Sequence, residues 1–507
     1  MTDPRRAKAL MVLGTASHVG KSTLTAGFCR LLAEAGHAVA PFKAQNMALN
    51  SFVTLAGGEI GRAQVAQAEA AGIEPETDMN PILLKPMGGV SQVIVNGAPI
   101  GVMSAREYYA EKDRLWPLVT AAYDRLASRF DRIVLEGAGS PVEINLIEHD
   151  LTNLKMARHA GASVVLVADI ERGGVFAQIV GTWELLNPSD RARVVGFVIN
   201  KFRGDATLLD PGLIYLRERT GVPVLGVLPY QADLPLDQED SLGIDETASP
   251  DDGEPGAQDL DVAVARLPGL SNFTDVRPLS RIPGVRLRYV EDGDDLGRPD
   301  LVILPGTKTT ARDLAWVRAV GLADRLVHIA ADPDGPVVLG ICGGYQMLGQ
   351  RIDDPLGVES DQSSMPGLAL LDVATTFAAT KERHRVAGST IARGLPIAGY
   401  EIHMGTTERG RGVRPWLRLV RQLDGVARLD GAIGPTGRVF GTYVHGLFDS
   451  LPFCKDLVDR LRSRRRLPPL DPARWDAHRE TLADRHAALA NFLRAHLDLE
   501  PVWASLR

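Results

Sequence analysis

At 507 residues the chain exceeds one ordinary core of about 100 to 200 residues, so several domains are expected. Its 45% hydrophobic and 23% charged content is that of a folded soluble protein and excludes disordered, collagen-like and fibrous classes. A net charge of -7 argues against a nucleic-acid partner, which needs concentrated basic charge. The one basic run, residues 462–466, reads as a solvated helix end. No apolar stretch reaches the ~18 residues of a membrane span, and residues 1–6 lack a signal-peptide core, so neither membrane nor export is indicated and the cytoplasm is the expected location. Three cysteines, Cys29, Cys342 and Cys454, have no paired spacing and predict neither a disulfide framework nor a zinc cluster.

Residues 9–13, 38–42, 132–135, 163–168, 194–200 and 222–228 are continuous apolar runs separated by amphipathic stretches. Strands that read this way are buried on both faces, which predicts an α/β domain with a parallel sheet covered by helices. After the first run comes GTASHVGKS, followed by a predicted helix whose apolar face is Leu24, Phe28, Leu31 and Leu32. Backbone N–H groups at such a helix start attract phosphate, a lysine adds a full charge, and a serine hydroxyl can ligate Mg2+. Gly14, Thr15, Gly20, Lys21 and Ser22 are therefore the expected nucleotide-binding residues, although five residues separate the two glycines where the standard loop has four.

Glu136 ends the next buried run, DRIVLEGAG, where a carboxylate either holds Mg2+ beside the loop or stands as a solvated rim residue. Asn200 closes VVGFVINK and either reads an adenine edge or belongs to a simple turn. The long loop form resembles that of dethiobiotin synthetase and its relatives. This likeness implies ATP and Mg2+ as cofactors, phosphoryl activation of a carboxylate, and a place near the phosphates for Lys43 in PFKAQNMALNS.

Residues 238–260 are acidic, rich in Gly and Pro and nearly free of large apolar groups, which predicts a linker or long surface loop between a synthetase domain (1–237) and a second domain (261–452). A second α/β series follows at residues 261–267, 285–290, 300–304, 336–341, 398–403 and 438–444, with more antiparallel content late. GICGG at 340–344, after an apolar run and before a helical pattern, has the nucleophile-elbow form with Cys342 in the nucleophile slot. The helix start favours a thiolate there. Cys29 and Cys454 lie in ordinary helical patterns and read as core residues.

The LPGT turn at 304–307 offers the Gly306 N–H, with that of Gly343, to a developing oxyanion; a bare strand-end turn is the other reading. His445, just past a strand in GTYVHGLF, is placed to take the thiol proton and return it to departing ammonia. Glu401 and His403, in GYEIHMG, either face a surface between domains or alternate along an ordinary strand. Residues 453–507 are helical in pattern and are expected to pack against the second domain.

These motifs resemble class I glutamine amidotransferase domains over residues 261–449, with one departure: Leu447 stands where the usual glutamate follows the histidine by two. The Cys and His are thus expected to work without that carboxylate, and the group orienting the imidazole is left open. The same departure marks the corrinoid amidating enzymes of the CobB/CobQ family, which the joined halves resemble. FKAQNMALNS, NPILLKPMG, GYEIHMG and GTYVHGLFD point to the branch that uses glutamine and ATP to amidate the b, d, e and g carboxylates of adenosylcobyrinic acid a,c-diamide in cobalamin biosynthesis. The alternatives are the sister branch that amidates the a and c carboxylates, and a P-loop ATPase scaffold carrying a relic amidotransferase fold. Corrin-binding residues, the ammonia path and oligomeric state are not legible.

Overall fold

The structure, a computed structural model, describes residues 7–231, 256, 258–477 and 481–507. The expected acidic linker lies outside the described residues except for 256 and 258–260. The chain forms two compact units: Met1–Ala48, Glu59–Asp237 and Glu480–Arg507 make the first, and Leu49–Gly58 and Gln238–Arg479 the second.

The first unit is built on a parallel sheet in which Lys8–Gly14 lies between Ser163–Asp169 and Arg132–Glu136. Val194–Phe202 and Val224–Pro229 extend one side, and Val39–Phe42 the other. All six predicted apolar runs are strands of this sheet. Chain order reverses direction at the first strand, the kind of switch point at which α/β sheets bind ligands beyond their C-terminal strand ends. A second sheet not read from the sequence joins Gln45–Met47, Ile82–Met87, Val90–Val95 and Ala98–Ser104, and contains the NPILLKPMG segment.

The helical tail divides. Helix Leu451–Arg464 and the segment up to Ala477 stay with the second unit, as expected. From Thr481 onward the chain returns to the first unit, contrary to expectation: Leu489, Leu493 and Val502 of Leu482–His496 and Glu500–Ser505 join the core formed by Leu24, Phe28 and Leu31. The reason is steric fit, since a β-carbon at Gly27 on the phosphate-loop helix would come within 2.3 Å of Leu493. The basic run is a solvated helix end at Arg464, Arg465 and Arg466, which are exposed, and departs from that expectation at Arg462. Arg462 is buried and donates to the carbonyls of Pro468 and Gln258 at 2.7 and 3.0 Å, and exposed Arg464 reaches Gly335 O at 2.6 Å.

The second unit has a parallel sheet ordered Val285–Val290, Leu260–Ala265, Leu301–Leu304, Val337–Ile341 and Val439–Thr442, with Ala432–Ile433 antiparallel at its edge. A mostly antiparallel sheet contains the long pair Val373–Thr390 and Pro396–Arg409. No helix among the described residues is long and apolar enough to cross a membrane.

Candidate active sites

In the first unit, helix Lys21–Glu34 starts at Gly20, whose φ of 98° is a conformation that favours glycine. Ser22 Oγ donates to Glu136 Oε1 at 2.7 Å, and Lys43 Nζ reaches the same oxygen at 2.8 Å. Gln67 Nε2 donates to Glu136 Oε2 at 2.6 Å. Burial pushes the Glu136 carboxyl up, but the Lys43 charge and the hydrogen bonds from Lys43, Ser22 and Gln67 outweigh it and hold the group below the usual carboxylate range. Lys21 Nζ donates to the carbonyls of Ala16 and Gly139 at 2.8 and 3.3 Å, so it lies across the loop.

Thr15 is tied to the neighbouring strand through its N–H to Val167 O at 2.9 Å, and Gly14 ends the central strand. Asn200 braces the loop: its Nδ2 donates to Val19 O at 2.9 Å and its Oδ1 accepts from the Lys201 N–H at 2.9 Å. Its carboxamide thus joins the phosphate loop to strand Val194–Phe202. Ser22 and Glu136 together suit Mg2+, which binds one or two protein oxygens and completes its shell with phosphate and water. Among the described residues no cluster of three or more His, Cys, Asp or Glu side chains offers an all-protein metal site.

In the second unit, strand Val337–Ile341 breaks at Cys342, held at φ 53° and ψ -109°, and helix Gly343–Leu348 follows. Glycine is required beside it, because a β-carbon at Gly344 would lie 1.9 Å from Leu304 O. Gly306 sits against His445, where an added β-carbon would lie 2.9 Å from Cε1. Among the described residues neither the Gly306 nor the Gly343 N–H is taken by another acceptor. The turn between Leu304 and Lys308 is braced by Thr307, whose hydroxyl donates to Asp313 and lies 3.0 Å from Gly269 O.

His445 is fully buried and hydrogen-bonded to Cys342 on one side. On the other, its Nδ1 lies 2.6 Å from Asp275 Oδ2, and Asp275 Oδ1 accepts the Gly446 N–H at 3.1 Å. This corrects the expectation of a pair lacking a carboxylate. The orienting group comes from the short helix Phe273–Val276, 170 residues upstream, and no spacing rule tied to His445 could have found it. Burial alone would lower the imidazole; the charges of Asp275 and Cys342 and their hydrogen bonds outweigh it and hold His445 up at about 10.

Further residues unread in the sequence complete the site. Tyr400 stacks on His445 with ring centroids 5.2 Å apart, and Phe52 packs on Tyr400 at 4.8 Å. Asn272 Oδ1 accepts the Ser51 N–H at 2.9 Å, while Asn50 Oδ1 accepts the Phe273 N–H at 3.1 Å. Asn50 and Ser51, the last two residues of the Lys43 motif, thus hold the turn that presents Asp275. Gln346, one helical turn past Cys342, donates to Met404 O and Tyr443 Oη at 3.0 and 3.2 Å. Cys29 and Cys454 are buried, with thiols pushed well up by burial, as suits core residues.

Two family models match. Residues 10–242 match the CobQ/CobB/MinD/ParA nucleotide binding domain, and residues 261–453 the CobB/CobQ-like glutamine amidotransferase domain. Among curated proteins, a cobyric acid synthase of Pelotomaculum thermopropionicum is 51% identical, the match covering 99% of this chain and 97% of that one. Cobyric acid synthases of Sorangium cellulosum and Desulforamulus reducens are 49% and 46% identical, each match covering 97% of both chains.

Proposed function

We propose, from the premise that this chain belongs to the cobyric acid synthase family of glutamine-dependent amidating ligases of cobalamin biosynthesis, that it converts adenosylcobyrinic acid a,c-diamide to adenosylcobyric acid. It would do so in the cytoplasm, amidating the b, d, e and g carboxylates with glutamine as nitrogen donor and ATP as co-substrate. A carboxylate is a poor acyl donor because its leaving group would be oxide; phosphorylation supplies a better one. Gly14, Thr15 and Gly20 shape the phosphate loop, Lys21 adds positive charge, and Lys43 keeps Glu136 ionised beside Ser22. Mg2+ held by Ser22 and Glu136 would neutralise phosphate charge.

In the second unit, the Cys342 sulfur attacks the glutamine amide while the Gly306 and Gly343 N–H groups receive the oxyanion. His445, oriented by Asp275, protonates the leaving nitrogen; ammonia departs, and water then releases glutamate from the thioester. The observation that carries this reading is the buried Cys342–His445–Asp275 array on a glycine-flanked elbow, which a relic binding fold has no need to keep. The test is to incubate the protein with ATP, glutamine and each corrinoid and count added amides by mass. Four amides on the a,c-diamide are expected; reaction at only the a and c positions of cobyrinic acid would assign the sister activity.

A further inference from the structure

On strand Pro396–Arg409, Glu401 and His403 flank the residue whose carbonyl meets the catalytic sulfur: Cys342 Sγ lies 3.5 Å from Ile402 O. Residues two apart on a strand share a face. Both side chains are more than nine-tenths buried, Glu401 at 0% and His403 at 6% exposure. Each has one polar atom engaged and one without a partner among the described residues. Glu401 Oε1 accepts from Arg428 at 2.5 Å, and its Oε2 has no donor. His403 Nδ1 lies 3.0 Å from Gly405 O. A carbonyl only accepts, so the ring proton is on Nδ1, and Nε2 presents a bare lone pair that also lacks a partner.

Burial, and next the nearby Arg428 charge, push His403 down to about 3, so the ring is neutral throughout the working pH range. Its position is fixed by stacking on Tyr443, with centroids 3.6 Å apart. Two buried acceptors left bare on one strand are costly unless a small donor meets them. Thioester formation at Cys342, whose sulfur meets the carbonyl between these two residues, generates such a donor. The Cys342 sulfur bonds the amide carbon, the C–N bond breaks, and the proton from His445 makes the leaving nitrogen neutral ammonia, with three N–H groups and one lone pair.

We propose that Glu401 Oε2 and His403 Nε2 form the site that receives ammonia released at Cys342 and holds it as the neutral nucleophile. The inference rests on the reading of Cys342 as the glutaminase nucleophile. Burial, and next the Asp430 charge, push the Glu401 carboxyl up to about 7, so above that pH both atoms are bare acceptors and leave free the ammonia lone pair that later attacks the acyl phosphate. The Arg428 guanidinium on the other Glu401 oxygen disfavours a second cation there, which selects ammonia over ammonium.

The test compares glutamate formed with amide formed in glutamine-driven reactions, and separately measures amidation driven by added ammonia. His403→Phe keeps a ring to stack on Tyr443 and removes the acceptor. Glu401→Gln keeps the acceptor for Arg428 and turns the other atom into a donor. Each is expected to raise glutamate made per amide by about fivefold, the factor for one ordinary hydrogen bond, while glutamine hydrolysis and ammonia-driven amidation persist. His403→Gln, which can restore an acceptor, is expected to return the ratio toward wild type. An unchanged ratio in the folded variants would overturn the site and leave a structural water as its occupant. Loss of hydrolysis at an unchanged ratio would also overturn it. Wild-type protein that hydrolyses no glutamine would instead remove the glutaminase reading on which the site depends.

Discussion

Replacing Asp275 with Asn keeps the shape of the side chain and removes its charge. Two donors converge on this carboxylate, His445 Nδ1–H at 2.6 Å and Gly446 N–H at 3.1 Å. An amide has only one acceptor oxygen. If it serves Gly446, Nδ1 faces an NH2 group and the imidazolium is destabilised; if it serves His445, the Gly446 N–H faces that NH2 group instead. Either way a charge-assisted hydrogen bond of roughly 1.5–3 kcal/mol is lost, which corresponds to about a 10- to 150-fold fall in glutaminase kcat.

The pH profile adds a second readout. His445 is raised, so it keeps its proton until pH passes about 10. Without the Asp275 charge its pKa falls, and the alkaline limb of kcat/KM for glutamine should move to lower pH. Steady-state glutamate release across pH 6 to 10.5 measures both effects, with ammonia-driven amidation as the control for a folded synthetase unit. Wild-type turnover and an unmoved alkaline limb in Asp275→Asn would refute the assignment of Asp275 as the orienting carboxylate.

Cys342→Ala should abolish amidation from glutamine and spare amidation from ammonia, measured by mass on the corrinoid product. Lys43→Met strands the buried Glu136 charge; a stability loss of about 3–5 kcal/mol in denaturant unfolding is expected, with amidation lost from both nitrogen sources and glutamine hydrolysis retained. Gly344→Ala forces a β-carbon to 1.9 Å from Leu304 O and should lower the unfolding midpoint of the second unit while eliminating glutaminase turnover. Leu493→Ala opens a cavity beside the phosphate-loop helix and should cost ~2–5 kcal/mol, read as a lower denaturation midpoint and weakened nucleotide binding.

The features legible in the sequence are those whose geometry is local. Glycines on both sides of Cys342 and an apolar run before it define a strand-to-helix turn within about ten residues, and the apolar runs near residues 9, 132, 163 and 194 define buried strands by composition alone. Asp275 was invisible because its contact with His445 bridges 170 positions and has no fixed spacing. Lys43 of the FKAQNMALNS motif is expected beside the phosphates, yet the fold divides the motif between Ala48 and Leu49, sending Asn50 and Ser51 to the glutaminase turn. The tail showed the same limit. The spacing of Leu482, Ala488, Leu489 and Phe492 predicts a helix, but it does not say which partner covers it, and the buried face is Leu489, Ala490 and Leu493.

The return of residues 481–507 to the first unit has a consequence for biogenesis. A ribosome delivers the phosphate loop and its helix first, yet the leucines that close the interior around that helix emerge only after the whole glutaminase unit has been made. On the nascent chain the ammonia-producing half can complete its hydrophobic interior while the carboxylate-activating half still waits. A message broken near residue 480 would therefore leave the Gly27 side of the phosphate-loop helix facing water, a target for chaperones and proteases.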